Sequence, residues 1–157
     1  MIQQAFVEIA ETVARGAHAG QFDKSGADYI THPARVAERV RRQGGADEAV
    51  AAAWLHDVLE DCDVSSTDLA AAGIPDTVIT AVQALTKMDG EAPEDYCARV
   101  LANPTALPVK RADIDDNTDP VRTALLPEAT RERLAAKYAR TRHLLGLDNS
   151  PSTSPKQ

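Results

Sequence analysis

The chain has 157 residues, enough for one domain with its own core, and a formal net charge of −7 at pH 7. That charge argues against nucleic acid as a main partner, which calls for a basic face. It leaves room for a small phosphorylated ligand, because a metal and a few lysines or arginines make a positive site in an acidic protein. Hydrophobic residues make up 43% and aromatic residues 4% of the chain, so the core is expected to be Ala, Val and Leu in close-packed helices. No apolar run approaches the roughly 20 residues that span a bilayer. The start, Met1-Ile2-Gln3-Gln4, lacks the basic and apolar segments of a signal peptide. Cys62 and Cys97 are too few for a disulfide framework and fit buried helix positions. The expectation is a cytoplasmic protein with reduced thiols and neither membrane nor nucleic-acid partner.

In chain order, Ile2, Ala5, Phe6, Ile9, Ala10 and Val13 are spaced as the apolar face of a first helix over 2–18. Gln21 to Ile30 is polar, contains Gly26, and is expected to be a loop. Thr31 is placed to cap a second helix with Pro33 in its first turn. Its stripe is Val36, Ala37 and Val40, and its exposed side carries Arg35, Arg39, Arg41 and Arg42. Gly44-Gly45 ends it. A core helix is expected over 46–61. Ser65 or Ser66 can cap a short helix through Ala72, and Pro75 to Leu85 and a segment opened by Pro93 give two more. After Asn103-Pro104 a helix is expected over 105–117, with Pro108 tolerated in its first turn. Asp119-Pro120 and Leu126-Pro127 punctuate the following stretch. A last helix runs from Glu128 to Leu145 with Leu134, Tyr138, Leu144 and Leu145 as its apolar contacts. There is no strand alternation and no repeat. The fold class is all-α, with one domain over 1–147 and a disordered Ser/Pro/Thr/Lys tail over 148–157. Neither the basic second helix nor the last helix shows an apolar patch of the size that would define a dimer.

The stretch Trp54-Leu55-His56-Asp57-Val58-Leu59-Glu60-Asp61-Cys62 concentrates the chemistry. At helical spacing Ala51, Leu55, Val58 and Cys62 form one stripe, while His56, Asp57, Glu60 and Asp61 share the opposite face. Three carboxylates at the end of an apolar helix repel one another unless a cation offsets them. With His32 and Asp113 from other predicted helices, His56 and Asp57 make a mixed nitrogen and oxygen set suited to Mn²⁺, Fe²⁺ or Zn²⁺.

The chain resembles the HD-domain phosphohydrolases, and among them the hydrolase module of RelA/SpoT homologues, including stand-alone small alarmone hydrolases. The likeness runs through Ala17-His18-Ala19-Gly20-Gln21 and Tyr29-Ile30-Thr31-His32-Pro33. It continues in Leu55-His56-Asp57-Val58-Leu59-Glu60-Asp61, Leu85-Thr86, and Lys110-Arg111-Ala112-Asp113 with Asn117 four residues on. It spans roughly residues 5–120 and includes no synthetase domain. The resemblance implies that His32, His56, Asp57 and Asp113 hold one divalent ion, usually Mn²⁺. It implies further that Glu60 and Asp61 handle the attacking water and proton transfer, and that Asn117 orients the substrate. The ion would lower the pKa of a bound water and polarise a phosphate oxygen, with Glu60 one turn from the ligands.

The family typically carries a basic residue where this chain has Phe22; Lys24 follows two positions later, and Lys87 and Lys110 are further phosphate contacts or plain surface lysines. Phe22 is placed either to stack on a base or to pack its loop. His18 is expected to hold that loop, and His143 near the end of the last helix is assigned no chemistry. The function implied is removal of the 3′-pyrophosphate from (p)ppGpp by metal-bound water. The alternatives are a phosphohydrolase of another nucleotide, such as the 2′- or 3′-phosphate of a dinucleotide cofactor, and a helical module that senses a nucleotide without turnover.

Overall fold

Helices of 4 to 17 residues, punctuated by Gly and Pro, account for the architecture seen in a computed structural model, which describes residues 2–147. They are α1 (Ile2–Ala17), α2 (Thr31–Arg42), α3 (Asp47–Leu55), α4 (Val58–Asp61), α5 (Ser66–Ala72), α6 (Asp76–Ala84), α7 (Pro93–Leu101), α8 (Ala106–Asn117), α9 (Pro120–Thr123) and α10 (Glu128–Leu144). Among the described residues the only extended pairing is one antiparallel bridge between Phe22 and Asp28. The tail expected over 148–157 lies outside the described residues.

The centre of the bundle is α3. Every residue from Ala49 to Leu55 is buried, and α1, α2, α6 and α8 all pack on it. The run Ala49-Val50-Ala51-Ala52-Ala53 makes this possible, because methyl side chains let neighbouring backbones come close on every side of one helix. Asp47 and Glu48 occupy its first turn, where the helix dipole favours negative charge.

The expected helix over 46–61 is broken. His56 Nδ1 donates to Ala53 O at 2.7 Å, and Ala53 O is the acceptor that a continuous helix would give to Asp57 N–H. The helix therefore ends at Leu55, Asp57 takes φ −106°, ψ −1°, and α4 restarts with Asp61 N–H bonded to Asp57 O at 2.9 Å. The sequence pattern had no means of showing this, since the competitor is a side chain.

Other boundaries follow their signals. Ser65 forms a capping box with Asp68, and Gly73 closes α5 at φ +101°. Pro93 opens α7, and Asn103 Oδ1 accepts from Thr105 N and Ala106 N ahead of α8. Thr31 differs from expectation: its hydroxyl donates to Asp28 O and caps nothing. The single turn α9, capped by Asp119, was not anticipated between the two proline signals. Cys97 is buried as expected, but Cys62 lies just past α4 and is half-buried; both thiols are free. The arginine face of α2 is also corrected. Arg35 and Arg39 turn inward onto Asp116 and Asp119, leaving Arg41 and Arg42 to pair with Glu38 on the surface.

The α2–α3 turn sets the spacing of α2, which carries His32, and α3, whose end is followed by His56. Gly44 adopts φ +82°, and Gly45 N–H returns to Val40 O at 2.9 Å, a Schellman closure. A Cβ on Gly45 would lie 2.5 Å from Val40 Cγ1 and 3.0 Å from Val40 O. Gly45→Ala is expected to lower stability by about 1–3 kcal/mol, as overpacking does; urea unfolding of the metal-free protein would measure it.

Candidate metal centre

Two helices and one break bring the donors together. His32 sits in the first turn of α2, His56 and Asp57 in the break between α3 and α4, and Asp113 on the buried face of α8. His56 is 4% exposed. A carbonyl cannot donate, so the bond to Ala53 O puts a proton on Nδ1 and, when the ring is neutral, leaves the Nε2 lone pair facing inward. Nε2 has no hydrogen-bond partner among the described residues and lies 3.2 Å from Asp57 Oδ2 and 3.4 Å from Asp113 Oδ1. His32 Nε2 lies 2.8 Å from the same Asp113 oxygen. One ligand atom from each of His32, His56 and Asp113 lies within 4.8 Å of the others, so these three could hold a metal ion. Asp57 stands at the edge of this set, its Oδ2 beside His56 Nε2 and accepting from the Tyr29 hydroxyl.

The charges show what the arrangement demands. Burial opposes a charged imidazole at His56, yet Asp57 and Asp113 outweigh it and hold its pKa well above the ordinary value. At His32 burial is likewise overcome, by hydrogen bonds to Asp113 and Asp116. Burial pushes Asp113 up, but Lys110 and the two histidines pull it well below the carboxylate range. Asp57 is held at about 2, His56 outweighing its burial. A proton on each ring thus stands in for positive charge that a divalent ion would supply, and the donor set fits such an ion.

Beside the donors lies a polar chamber of about 360 Å³, lined by Lys24, Lys87, Lys110, Lys137, Glu60, Asp61, Tyr29, Tyr96, Asn117 and Tyr138 among others. A second chamber of about 280 Å³ shares Lys24, Tyr29, His32, Asn117 and Tyr138 with it and adds Phe22, Leu125, Leu126 and Leu134. Glu60 is exposed and accepts from Lys87 N at 3.1 Å. Asp61 is exposed, and partial burial beside Asp57 and Glu60 raises its pKa. Asn117 Nδ2 donates to Asp113 Oδ1 at 3.1 Å.

Lys110 is no plain surface lysine: it is 9% exposed, with Nζ 3.1 Å from Asp113 Oδ2. Lys110 and Lys87 each place Nζ 5.3 Å from the Tyr96 ring centre. Burial, then Lys87 and Lys110, lower the pKa of Lys137. His18 is buried; its Nδ1 lies 2.9 Å from Gln21 Oε1, and its ring centre is 5.0 Å from that of Tyr29.

Sequence reasoning missed Lys137 and Asp116, and took Tyr138 only as an apolar contact. Asp116 had a usable signal, one turn beyond Asp113 on the same face. Lys137 had none, because α10 reaches the chamber only through the tertiary fold.

Residues 10–145 match the family model of the HD domain. The chain belongs to the HD-domain family. Relatives of this HD domain include a guanosine-3′,5′-bis(diphosphate) 3′-pyrophosphohydrolase of Vibrio cholerae, 38% identical over 151 residues, covering 87% of this chain and 21% of that protein. The bifunctional (p)ppGpp synthase/hydrolase SpoT of Escherichia coli is 32% identical over 152 residues, covering 88% and 21%. A GTP pyrophosphokinase of Streptomyces coelicolor is 32% identical over 155 residues, covering 90% and 18%. The chain therefore spans about a fifth of the length of these relatives. A solved structure titled as a metazoan ortholog of SpoT that hydrolyses ppGpp superposes with a TM-score of 0.75 at 22% identity, over 90% of this chain and 85% of that one, and shares its all-α fold. Among the described residues no helix is long and apolar enough to cross a membrane.

The raised histidines give the metal-free HD domain a defined pH response. A group whose folded pKa is raised contributes stability fully present below its unfolded value, near 6.5, and lost as pH rises through the folded value. Thermal unfolding without metal is expected to fall in midpoint as the pH is raised above about 6.5, and added divalent ion is expected to restore it at the alkaline end, where neutral imidazoles bind metal.

Proposed function

We propose that residues 1–147 form a metal-dependent pyrophosphohydrolase module that removes the 3′-pyrophosphate of (p)ppGpp, in the cytoplasm, with Mn²⁺ held by His32, His56, Asp57 and Asp113. The observation that carries this reading is the pair of joined chambers: one places four lysines around the donor set, and the other offers Phe22, Leu126, Leu134 and Tyr138 to a base. A small nucleotide bearing several phosphates would set them among the lysines and its base against the apolar wall. The names of the Vibrio and Escherichia relatives support the same substrate.

A bound divalent ion would supply Lewis acidity and a lowered pKa for water. The chain's own residues do the rest. Lys24, Lys87, Lys110 and Lys137 neutralise the phosphates and hold the reacting phosphorus near the donors. Glu60, which lines the chamber, accepts the proton of the attacking water. Asp61, whose carboxyl is raised by partial burial and by its acidic neighbours, delivers a proton to the 3′ oxygen as its bond to phosphorus breaks. Asn117, bonded to Asp113, orients the substrate between the two chambers. The products are GDP or GTP and pyrophosphate.

Incubation with Mn²⁺ and guanosine tetraphosphate, beside a panel of 2′- and 3′-phosphorylated nucleotides, with phosphate and pyrophosphate quantified separately, tests this directly. Pyrophosphate release that disappears in Asp57→Ala is expected; orthophosphate from another nucleotide would move the substrate assignment, and binding without turnover would replace it with a sensing role. Glu60→Gln is expected to lower kcat by about 10²- to 10⁴-fold. Lys137→Ala is expected to raise KM while leaving pyrophosphate as the product.

A further inference from the structure

Asp116 lines neither chamber and offers no atom to the donor set, yet it is fully buried. Its Oδ2 lies 2.7 Å from His32 Nδ1, the shortest of its polar contacts. Arg35 Nε donates to Oδ1 at 2.8 Å, and Arg39 Nε stands 3.6 Å from that oxygen. Arg122 Nη1 donates to the Asp116 backbone carbonyl at 2.8 Å and lies 3.4 Å from Oδ2. The three arginines are about one-third exposed and hold the carboxylate from the outer side, while its inner oxygen faces His32.

An ionised carboxylate only accepts, so this contact assigns the Nδ1 proton of a neutral His32 ring and turns the Nε2 lone pair toward Asp113 and the donor set. His56 reaches the same tautomer against an uncharged partner, the carbonyl of Ala53. The two imidazoles are therefore unequal. We propose that Asp116 is a positioning residue for the metal, acting through His32: it fixes the ring and its tautomer and makes His32 the more strongly donating of the two nitrogen ligands. Arg35 and Arg122 hold the carboxylate in place for that task. The inference rests on the metal reading of the donor set and is independent of which nucleotide is hydrolysed.

The test is a nucleotide-free Mn²⁺ titration, read from the electron paramagnetic resonance signal of free Mn²⁺, on the wild type, Asp116→Asn and Asp116→Ala, with circular dichroism and the metal-free Tm as folding controls. Asp116→Ala is expected to weaken Mn²⁺ binding about 10- to 100-fold. Asp116→Asn, which keeps an acceptor for Nδ1–H but loses the charge, is expected to show an intermediate loss. Should the alanine variant fail to fold, the near-isosteric asparagine variant decides alone. A lowered metal-free Tm with unchanged Mn²⁺ affinity in the folded variants would make Asp116 an ordinary ion-pair hub and overturn the proposal. A wild type that binds no Mn²⁺ would overturn the metal reading beneath it, whatever the variants do.

Discussion

Four groups with lone pairs converge where water is scarce, and no arrangement of them is stable without positive charge between or beside them. Two imidazole nitrogens cannot face one carboxylate oxygen at 2.8 and 3.4 Å unless protons or a cation intervene. Much of the neighbouring structure answers this constraint. Lys110 is buried against Asp113, and α2 turns two of its arginines onto Asp116 and Asp119. The helix is interrupted after Leu55 so that consecutive residues, His56 and Asp57, can both border the same point.

The same constraint separates local charge from total charge. A chain of net charge −7 presents four lysines on one chamber. Their mutual repulsion is eased by Asp113, Glu60 and Asp61 and by the face of Tyr96, whose π electrons attract both Lys87 and Lys110. Acids elsewhere outnumber the bases, so the positive charge is local to the chamber while the chain as a whole stays acidic.

Most of the fold was legible because glycine, proline and capping residues stand where the helices end; the Ser65–Asp68 box and Pro93 are plain examples. His32, His56 and Asp113 were legible as a set through residue chemistry and the family resemblance together, and the structure brings them to one place. Three features were not. The break at His56 depends on a side chain capturing Ala53 O, which periodicity does not encode. The inward turn of Arg35 and Arg39 depends on Asp116 and Asp119 about eighty residues away. The depth of Lys110 depends on how far α8 sinks into the bundle, and a lysine in sequence is read as surface until its partner is placed.

The last helix has 17 residues and buries none of them; Leu145, just past its end, is buried, and Tyr138 and Leu144 pack partly on the core. Among its ties are an exposed ion pair of Arg140 with Glu94, of a kind that adds little stability, and a part-buried contact of Arg142 with Asp115 and Thr118. Yet α10 supplies Lys137 to the polar chamber, Leu134 to the apolar one and Tyr138 to both. Two walls of the cavity thus stand on a helix that buries none of its own residues. Docking of that helix and retention of a ligand draw on one shared interface, so an occupant of the chambers completes the packing of the C-terminal segment and becomes, in energetic terms, a part of the fold.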